Sequence, residues 1–246
     1  MVPNPPLVER RSYGEHASQF LDLYQPSAAS SNGRGTVVSV HGGYWRQKYG
    51  LELNEPITTH LVTNGWTVAN IEYRRVEPDG PGVWHEMSSD VLDAVALLDD
   101  HDEPMIALGH SAGGQLALWA AAQPSTPLDA VVALAPVSDL FLADGLELSN
   151  HATAALFDHT ASERPDLYAT ASPLHLLPLG IPQLLVHGRA DEDVPFEMVP
   201  EYIETAHLSG DEVTLLDPKN VDHYQIIDPS HDVWRKIDSW LDRVVS

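Results

Sequence analysis

The segment MIALGHSAGGQLALWAAA, from Met105 to Ala122, is the strongest indication of the fold of this chain. It begins with a short apolar run, Met105 to Leu108, which is typical of a strand buried on both faces of a sheet. A glycine-rich turn follows, and the segment from Gly113 onward has the composition of a helix. The turn matches G-x-S-x-G, in which a sharp strand-to-helix turn lifts a serine hydroxyl above the sheet. Ser111 is therefore the candidate nucleophile.

Four more apolar runs of this kind occur along the chain, at Thr36 to Val40, Thr67 to Ile71, Ala130 to Leu134 and Gln183 to Val186. Helical patterns alternate with them, at about Glu55 to Asn64, Met87 to Asp100, Gly113 to Ala122, Pro195 to His207 and Val233 to Val244. This alternation predicts an α/β fold in which a mostly parallel central sheet is covered by helices on both faces.

Three further segments predict an edge strand, a last strand and an insertion. Gln19 to Tyr24 alternates apolar and polar residues and predicts a strand at the antiparallel edge, followed by a hairpin loop from Ser27 to Gly35. Val213 to Leu216 predicts the last strand. The segment from Leu140 to Pro182 breaks the alternation, so we expect a small cap insertion at about residues 140–182. The length of 246 residues fits a single domain, 1–246.

The composition limits the classes of partner. Acidic residues outnumber basic ones by 36 to 13, which gives a formal charge of -23 and disfavours nucleic acids and anionic membranes. The absence of cysteine excludes disulfides and thiolate chemistry. No apolar leader or span is visible, so we expect a cytoplasmic protein. The sequence leaves its oligomeric state open.

A second glycine-rich loop, HGGYW from His41 to Trp45, directly follows an apolar run. Its adjacent glycines leave backbone N–H groups free to stabilise an oxyanion, together with the amide of the residue after the nucleophile. We expect those donors to be the amides of Gly43, Tyr44 and Ala112. Tyr44 and Trp45 are candidates for a substrate pocket or for packing beneath the loop. A supporting role through hydrogen bonds is preferred for His41.

The acid and the base follow the last two strands. Asp191 lies in HGRADEDVP after the Gln183 to Val186 run, and Asp193 is the alternative carboxylate. His223 follows the final predicted strand and could take the serine proton, while the carboxylate sets its tautomer. The chain order of nucleophile, acid and histidine is the order that a hydrolase of this fold uses. The sequence thus predicts a catalytic triad of Ser111, Asp191 and His223.

These motifs together resemble the α/β-hydrolase superfamily. The HGGYW and GHSAGG elements are similar to those of its kynurenine formamidase (arylformamidase) and carboxylesterase-like branch, as are YGEHASQFLDLYQP, IEYRR and VDHYQIIDP. The resemblance implies hydrolysis of an arylformamide such as N-formylkynurenine, with release of formate from a formyl-enzyme on Ser111. It implies neither a metal nor another cofactor, and its partners are a small acyl substrate and water.

Two alternatives share the same scaffold. A carboxylesterase acting on short-chain esters would use all of the same groups, because the two reactions differ in the leaving group. A non-catalytic binding protein could retain the fold without the chemistry.

Overall fold

The computed structural model describes residues 9–27, 33–98 and 103–246. Its strands form one eight-stranded sheet in the order β1-β2-β4-β3-β5-β6-β7-β8. The strands are β1 Glu9–Ser12, β2 Phe20–Tyr24, β3 Thr36–Val40, β4 Thr67–Ile71, β5 Met105–His110, β6 Ala130–Leu134, β7 Gln183–Val186 and β8 Val213–Leu216. The predicted α/β fold is confirmed.

The six strands from β4 across to β8 are parallel. Every residue of β3, β5, β6 and β7 is buried, because helices cover both faces of the sheet there. In register, Val40 of β3 lies beside Ile71 of β4 and beside Gly109 of β5. The residues that follow these strands therefore meet at one edge of the sheet.

The other end of the sheet is antiparallel, and two sequence interpretations change there. β2 is not the edge strand, since β1 pairs with its outer side and β4 with its inner side. The predicted hairpin after β2 is wrong because β2 and β3 are separated by β4. Residues 28–32 of that connection lie outside the described residues. β1 is a four-residue, mostly exposed strand, so it has no apolar run that a sequence pattern could detect.

Eight helices lie in the described ranges: α1 Glu55–Thr63, α2 Trp84–Ala96, α3 Ala112–Ala121, α4 Leu140–Gly145, α5 Leu148–Phe157, α6 Pro165–Ala171, α7 Met198–Leu208 and α8 Val233–Val244. Alternate side chains of the strands point to two separate apolar clusters. One cluster contains residues of α1 and α8, the other residues of α2, α3 and α7. In the described residues, no helix is long and apolar enough to cross a membrane.

The segment between β6 and β7 forms the three short helices α4, α5 and α6. It packs on α3, where the side chains of Gln115 and Trp119 donate to the backbone carbonyls of Ala171 and Thr170 at 2.9 and 3.1 Å. It also meets the loop after β3, because the Arg46 guanidinium donates to the carbonyl of Ser149. The insertion thus packs beside the carboxyl ends of the strands.

Candidate active site

Ser111 occupies the turn between β5 and α3. Its φ of 57° and ψ of -120° are strained for a residue other than glycine, and such strain is found where a structure holds a group for function. The turn closes tightly, since a Cβ on Gly109 would lie 2.0 Å from the carbonyl oxygen of Gly113. The Ser111 amide donates to Leu134 of β6 at 2.8 Å, which ties the turn to the sheet.

The Ser111 hydroxyl lies at the N-terminus of α3, where the helix dipole favours developing negative charge. The residue is 1% exposed, and its Oγ has no hydrogen-bond partner in the described ranges. It is a buried, uncommitted hydroxyl. Ser111 and His223 are not hydrogen-bonded here, although triad contacts of this kind commonly shorten only when substrate binds.

Asp191 and His223 are brought together. The His223 Nδ1 donates to Asp191 Oδ2 at 2.7 Å. The other carboxylate oxygen, Oδ1, accepts the backbone N–H groups of Asp193 and Val194 at 3.0 and 2.8 Å. Those bonds orient the Asp191 carboxylate toward the imidazole. The Asp193 side chain instead accepts the hydroxyl of Tyr224 at 3.4 Å, so the geometry favours Asp191 as the orienting acid.

The loops that carry the acid and the base are packed against each other. A Cβ on Gly188 would lie 2.0 Å from the carbonyl oxygen of Val221, so only glycine allows this approach. The Ala190 amide also donates to that carbonyl at 3.2 Å. Since Val221 lies two residues before His223, these contacts set the position of the imidazole relative to Asp191.

Two buried histidines beside the triad were not assigned a role from the sequence. His110 Nε2 contacts the backbone carbonyl of His223 at 3.0 Å, and His187 Nε2 contacts the carbonyl of Val194 at 2.9 Å. Burial, together with the neighbouring His223, holds the pKa of His110 well below its usual value. Burial also lowers the pKa of His187. Both rings are therefore neutral donors, and their positions at the ends of β5 and β7 were the available sequence signal.

The predicted oxyanion loop follows β3. Gly42 approaches the nucleophile turn so closely that a Cβ there would lie 2.8 Å from the His110 carbonyl oxygen and 3.1 Å from the Ser111 Cβ. Gly43 has a φ of 110°, a conformation that favours glycine. The backbone N–H groups of Gly43, Tyr44 and Ala112 donate no hydrogen bond within the described residues. These three amides therefore stay candidates for the oxyanion donors.

The two aromatic residues of this loop have different surroundings. Tyr44 is partly buried, and its hydroxyl donates to the Asp193 carbonyl at 2.5 Å, which links the loop to the acid loop. Burial and the nearby carboxylates of Asp193 and Asp191 raise its pKa. Trp45 is 0% exposed, and its Nε1 donates to Gln115 at 3.0 Å. This favours packing beneath the loop for Trp45 and leaves Tyr44 as the pocket candidate.

No group of three or more histidine, aspartate or glutamate side chains in the described ranges is arranged to hold a metal ion. The groups at the candidate site are the Ser111 hydroxyl, the hydrogen-bonded pair of His223 and Asp191, and the backbone amides of the loop after β3.

The sheet order, the strained serine turn and the placement of the candidate site at the carboxyl ends of the strands define an α/β-hydrolase fold. The chain belongs to the BD-FAE family, whose model matches residues 21–203, about three quarters of its length. No curated protein matches it in sequence.

Solved structures with the same fold include several esterases. A truncated carbohydrate esterase from gut microbiota is 18% identical, with 99% of each chain covered and a TM-score of 0.82. A thermophilic esterase from Thermogutta terrifontis is 19% identical, with 99% of this chain and 95% of that one covered and a TM-score of 0.74; it has also been solved with butyrate and with propionate bound. A putative thioesterase from Silicibacter sp. is 22% identical over 93% of this chain and 85% of that one, with a TM-score of 0.69.

These likenesses concern the fold, and they show that the chain has the α/β-hydrolase fold. The α/β-hydrolase resemblance is therefore confirmed, whereas the kynurenine formamidase branch finds no support among them.

Proposed function

We propose that the protein is a serine esterase that hydrolyses small carboxylic esters through an acyl-enzyme on Ser111. The observation that carries the proposal is the hydrogen bond of 2.7 Å between His223 and Asp191, beside the strained turn of Ser111. Aspartate in that position keeps the imidazole in the tautomer whose Nε2 can accept a proton.

In the first half of the reaction, His223 Nε2 takes the proton of the Ser111 hydroxyl as the oxygen attacks the ester carbonyl carbon. The carbonyl π electrons move to the oxygen, and the amides of Gly43, Tyr44 and Ala112 stabilise the resulting oxyanion. As the tetrahedral intermediate collapses, the alcohol leaves with the proton from His223. The products of this half are the alcohol and an ester of the Ser111 hydroxyl.

In the second half, water replaces the alcohol. His223 takes one proton from the water as its oxygen attacks the acyl carbon, and returns that proton to the Ser111 oxygen as the carboxylic acid departs. The cycle consumes only the ester and water, so no cofactor enters the proposal.

The structural relatives favour esters over formamides. They include a carbohydrate esterase and an esterase solved with butyrate and with propionate. Hydrolysis of an arylformamide stays a prediction from the sequence resemblance, because the same groups could also protonate a departing amine.

The test uses the full chain and p-nitrophenyl acetate. We expect turnover above background, and Ser111→Ala should lower kcat/KM by about 10⁴-fold or more because it removes the nucleophile. A folded wild-type protein without turnover, or an active Ser111→Ala variant, would overturn the proposal. Comparing kcat/KM for short-chain esters and N-formylkynurenine then separates the two substrate classes.

A further inference from the structure

A second histidine and carboxylate pair lies on the opposite side of Ser111 from His223. His41 directly follows β3 and Glu72 directly follows β4, and these strands are parallel neighbours with Val40 beside Ile71. The pair is buried, since His41 is 0% and Glu72 is 6% exposed. The His41 Nε2 lies 3.0 Å from Glu72 Oε1.

Both ring nitrogens of His41 face acceptors. The Nδ1 lies 2.8 Å from the carbonyl oxygen of Gly42, and a carbonyl can only accept. Burial raises the pKa of Glu72, but the interactions with His41 and Arg75 outweigh burial, so its pKa lies below its usual value. The contacts with Gly42 and Glu72 together engage both ring nitrogens of His41.

The contact with the Gly42 carbonyl has a consequence for the next amide. In the described residues, the peptide bond between Leu177 and Pro178 is the one cis bond, so Gly42 and Gly43 are joined by a planar trans peptide. In such a peptide the C=O and the N–H point in opposite directions. When His41 holds the Gly42 carbonyl, it also sets the direction of the Gly43 N–H, which points away from the imidazole.

Glu72 also holds the far end of the same loop. Its Oε2 accepts the Leu51 amide at 3.2 Å. The Arg75 guanidinium lies 2.5 Å from Glu72 Oε1 and donates to the Tyr49 carbonyl at 2.5 Å. One buried carboxylate thus fixes the loop of residues 41–51 at both of its ends, and Arg75 keeps that carboxylate paired.

We propose that Glu72 and His41 are positioning residues for the oxyanion site, and that they act by holding the Gly42 carbonyl and so aiming the Gly43 N–H. This inference rests on the proposed esterase function. It assigns a role to Glu72 of the segment IEYRR, which resembles the arylformamidase and carboxylesterase-like branch.

The experiment exploits the shapes of two amide side chains. His41→Asn places an amide nitrogen near the position of the histidine Nδ1, where it can still donate to Gly42. His41→Gln reaches toward Glu72 instead and loses the Gly42 contact. Because loss of an oxyanion donor lowers kcat by about 10²- to 10³-fold, we expect His41→Gln to lower kcat for p-nitrophenyl acetate by about 10²-fold with little change in KM. We expect His41→Asn to stay within about 10-fold of wild type.

Glu72→Gln removes the charge and one acceptor, and we expect it to lower kcat by about 10-fold or more. A trifluoromethyl ketone that forms a tetrahedral adduct with serine should lose affinity in proportion to kcat in each variant. Ser39→Ala is the matched control. Ser39 lies in β3, the strand that His41 follows, and the change removes its buried hydrogen bond of 2.8 Å to Asn54 without altering a residue of the loop. It should lower the Tm and leave kcat unchanged.

Equal kcat values for His41→Asn and His41→Gln, or a loss of kcat that Ser39→Ala reproduces at the same Tm, would overturn the inference. If either His41 variant fails to fold, the Glu72→Gln kcat and its inhibitor affinity decide the question in the same way. An inactive wild type would instead overturn the esterase proposal, so the two failures are distinguishable.

Discussion

Two buried histidine and carboxylate pairs flank Ser111, and they differ in which nitrogen meets the acid. His223 uses Nδ1 toward Asp191 at 2.7 Å, whereas His41 uses Nε2 toward Glu72 at 3.0 Å. In both pairs the residues follow the carboxyl ends of strands. Residue type, burial and position in the fold are thus nearly the same on the two sides.

The second nitrogen of each ring separates their roles. The Nδ1 of His41 is held by the Gly42 carbonyl, while the Nε2 of His223 has no hydrogen-bond partner in the described part of the chain. A general base needs a free nitrogen that faces the nucleophile. The unengaged nitrogen, rather than the presence of a carboxylate, therefore distinguishes the proposed base from the proposed positioning residue.

The companion groups of the two acids differ as well. The Nε2 of His187 lies 3.7 Å from Asp191 Oδ2, and burial keeps this imidazole neutral by lowering its pKa. Glu72 is paired with Arg75, which is a permanent cation. The acid beside the base is thus left with its charge available to the imidazolium that forms on His223 during attack.

The largest effect is expected for His223, and the matched change at His41 should have a smaller one. His223→Gln removes the free nitrogen and should lower kcat/KM for p-nitrophenyl acetate by about 10⁴-fold or more, since the base acts as one unit with the nucleophile. His41→Gln should lower kcat for the same ester by about 10²-fold. Steady-state kinetics of both variants, alongside Ser111→Ala, measure the difference. A larger loss of activity in His41→Gln than in His223→Gln would contradict these assigned roles.

The acids should rank next. Asp191→Asn presents an amide N–H to His223 and favours the wrong tautomer, so kcat should fall by about 10³- to 10⁴-fold. Asp193→Asn is the matched change two residues away, and it should cost less than about 10-fold because the Asp193 side chain contacts Tyr224 instead of His223. Kinetics of the two variants at one pH decide between them. The reverse ranking would transfer the role of orienting acid to Asp193.

The smallest effect concerns the neutral histidine beside Asp191. The lowered pKa of His187 means that the unfolded chain binds a proton below about pH 6.5 that the folded chain does not take up. The contribution of the neutral His187 to the free energy of unfolding is therefore complete above that pH and is lost as the pH falls. Denaturant unfolding between pH 5 and 7 measures the free energy of unfolding. For His187→Gln, this free energy should change less steeply with pH than for the wild type, by up to about 1.4 kcal/mol per pH unit.

Asn54→Ala serves as the control for that measurement, because it removes a buried hydrogen bond to Ser39 without removing a titratable group. Its unfolding free energy should be lower than that of wild type by a similar amount at each pH. A pH dependence in His187→Gln identical to that of wild type would show that the ring does not resist protonation in the folded state.

Much of the fold follows from local pattern. The parallel strands have apolar runs because both of their faces are buried, and β3, β4, β6, β7 and β8 begin and end at the residues predicted from the sequence. β1 was missed, since its residues are mostly exposed. The helix predicted from Met87 begins instead at Trp84 and ends at Ala96, because helix ends depend on packing and capping that periodicity does not report.

Some features of the candidate site likewise follow from local sequence, and others require the folded structure. Ser111, Asp191 and His223 could be chosen from the sequence because parallel strands bring their carboxyl ends to one edge, so residues after different strands become neighbours. The sequence already favours Asp191 over Asp193, and the structure adds a turn in which the backbone amides of Asp193 and Val194 hold the Asp191 carboxylate. Trp45 likewise needed the structure, since only its contact with Gln115 places the ring in the core.

Short-range patterns of apolar residues and glycines predict the strands of the parallel sheet, the turn at Ser111 and the order of the proposed triad. The free and the engaged ring nitrogens, and the contacts of Glu72 with the loop after β3, are visible in the folded chain alone. Those features depend on hydrogen bonds between residues distant in sequence, such as His41 and Glu72, which are 31 positions apart, and no local pattern encodes them.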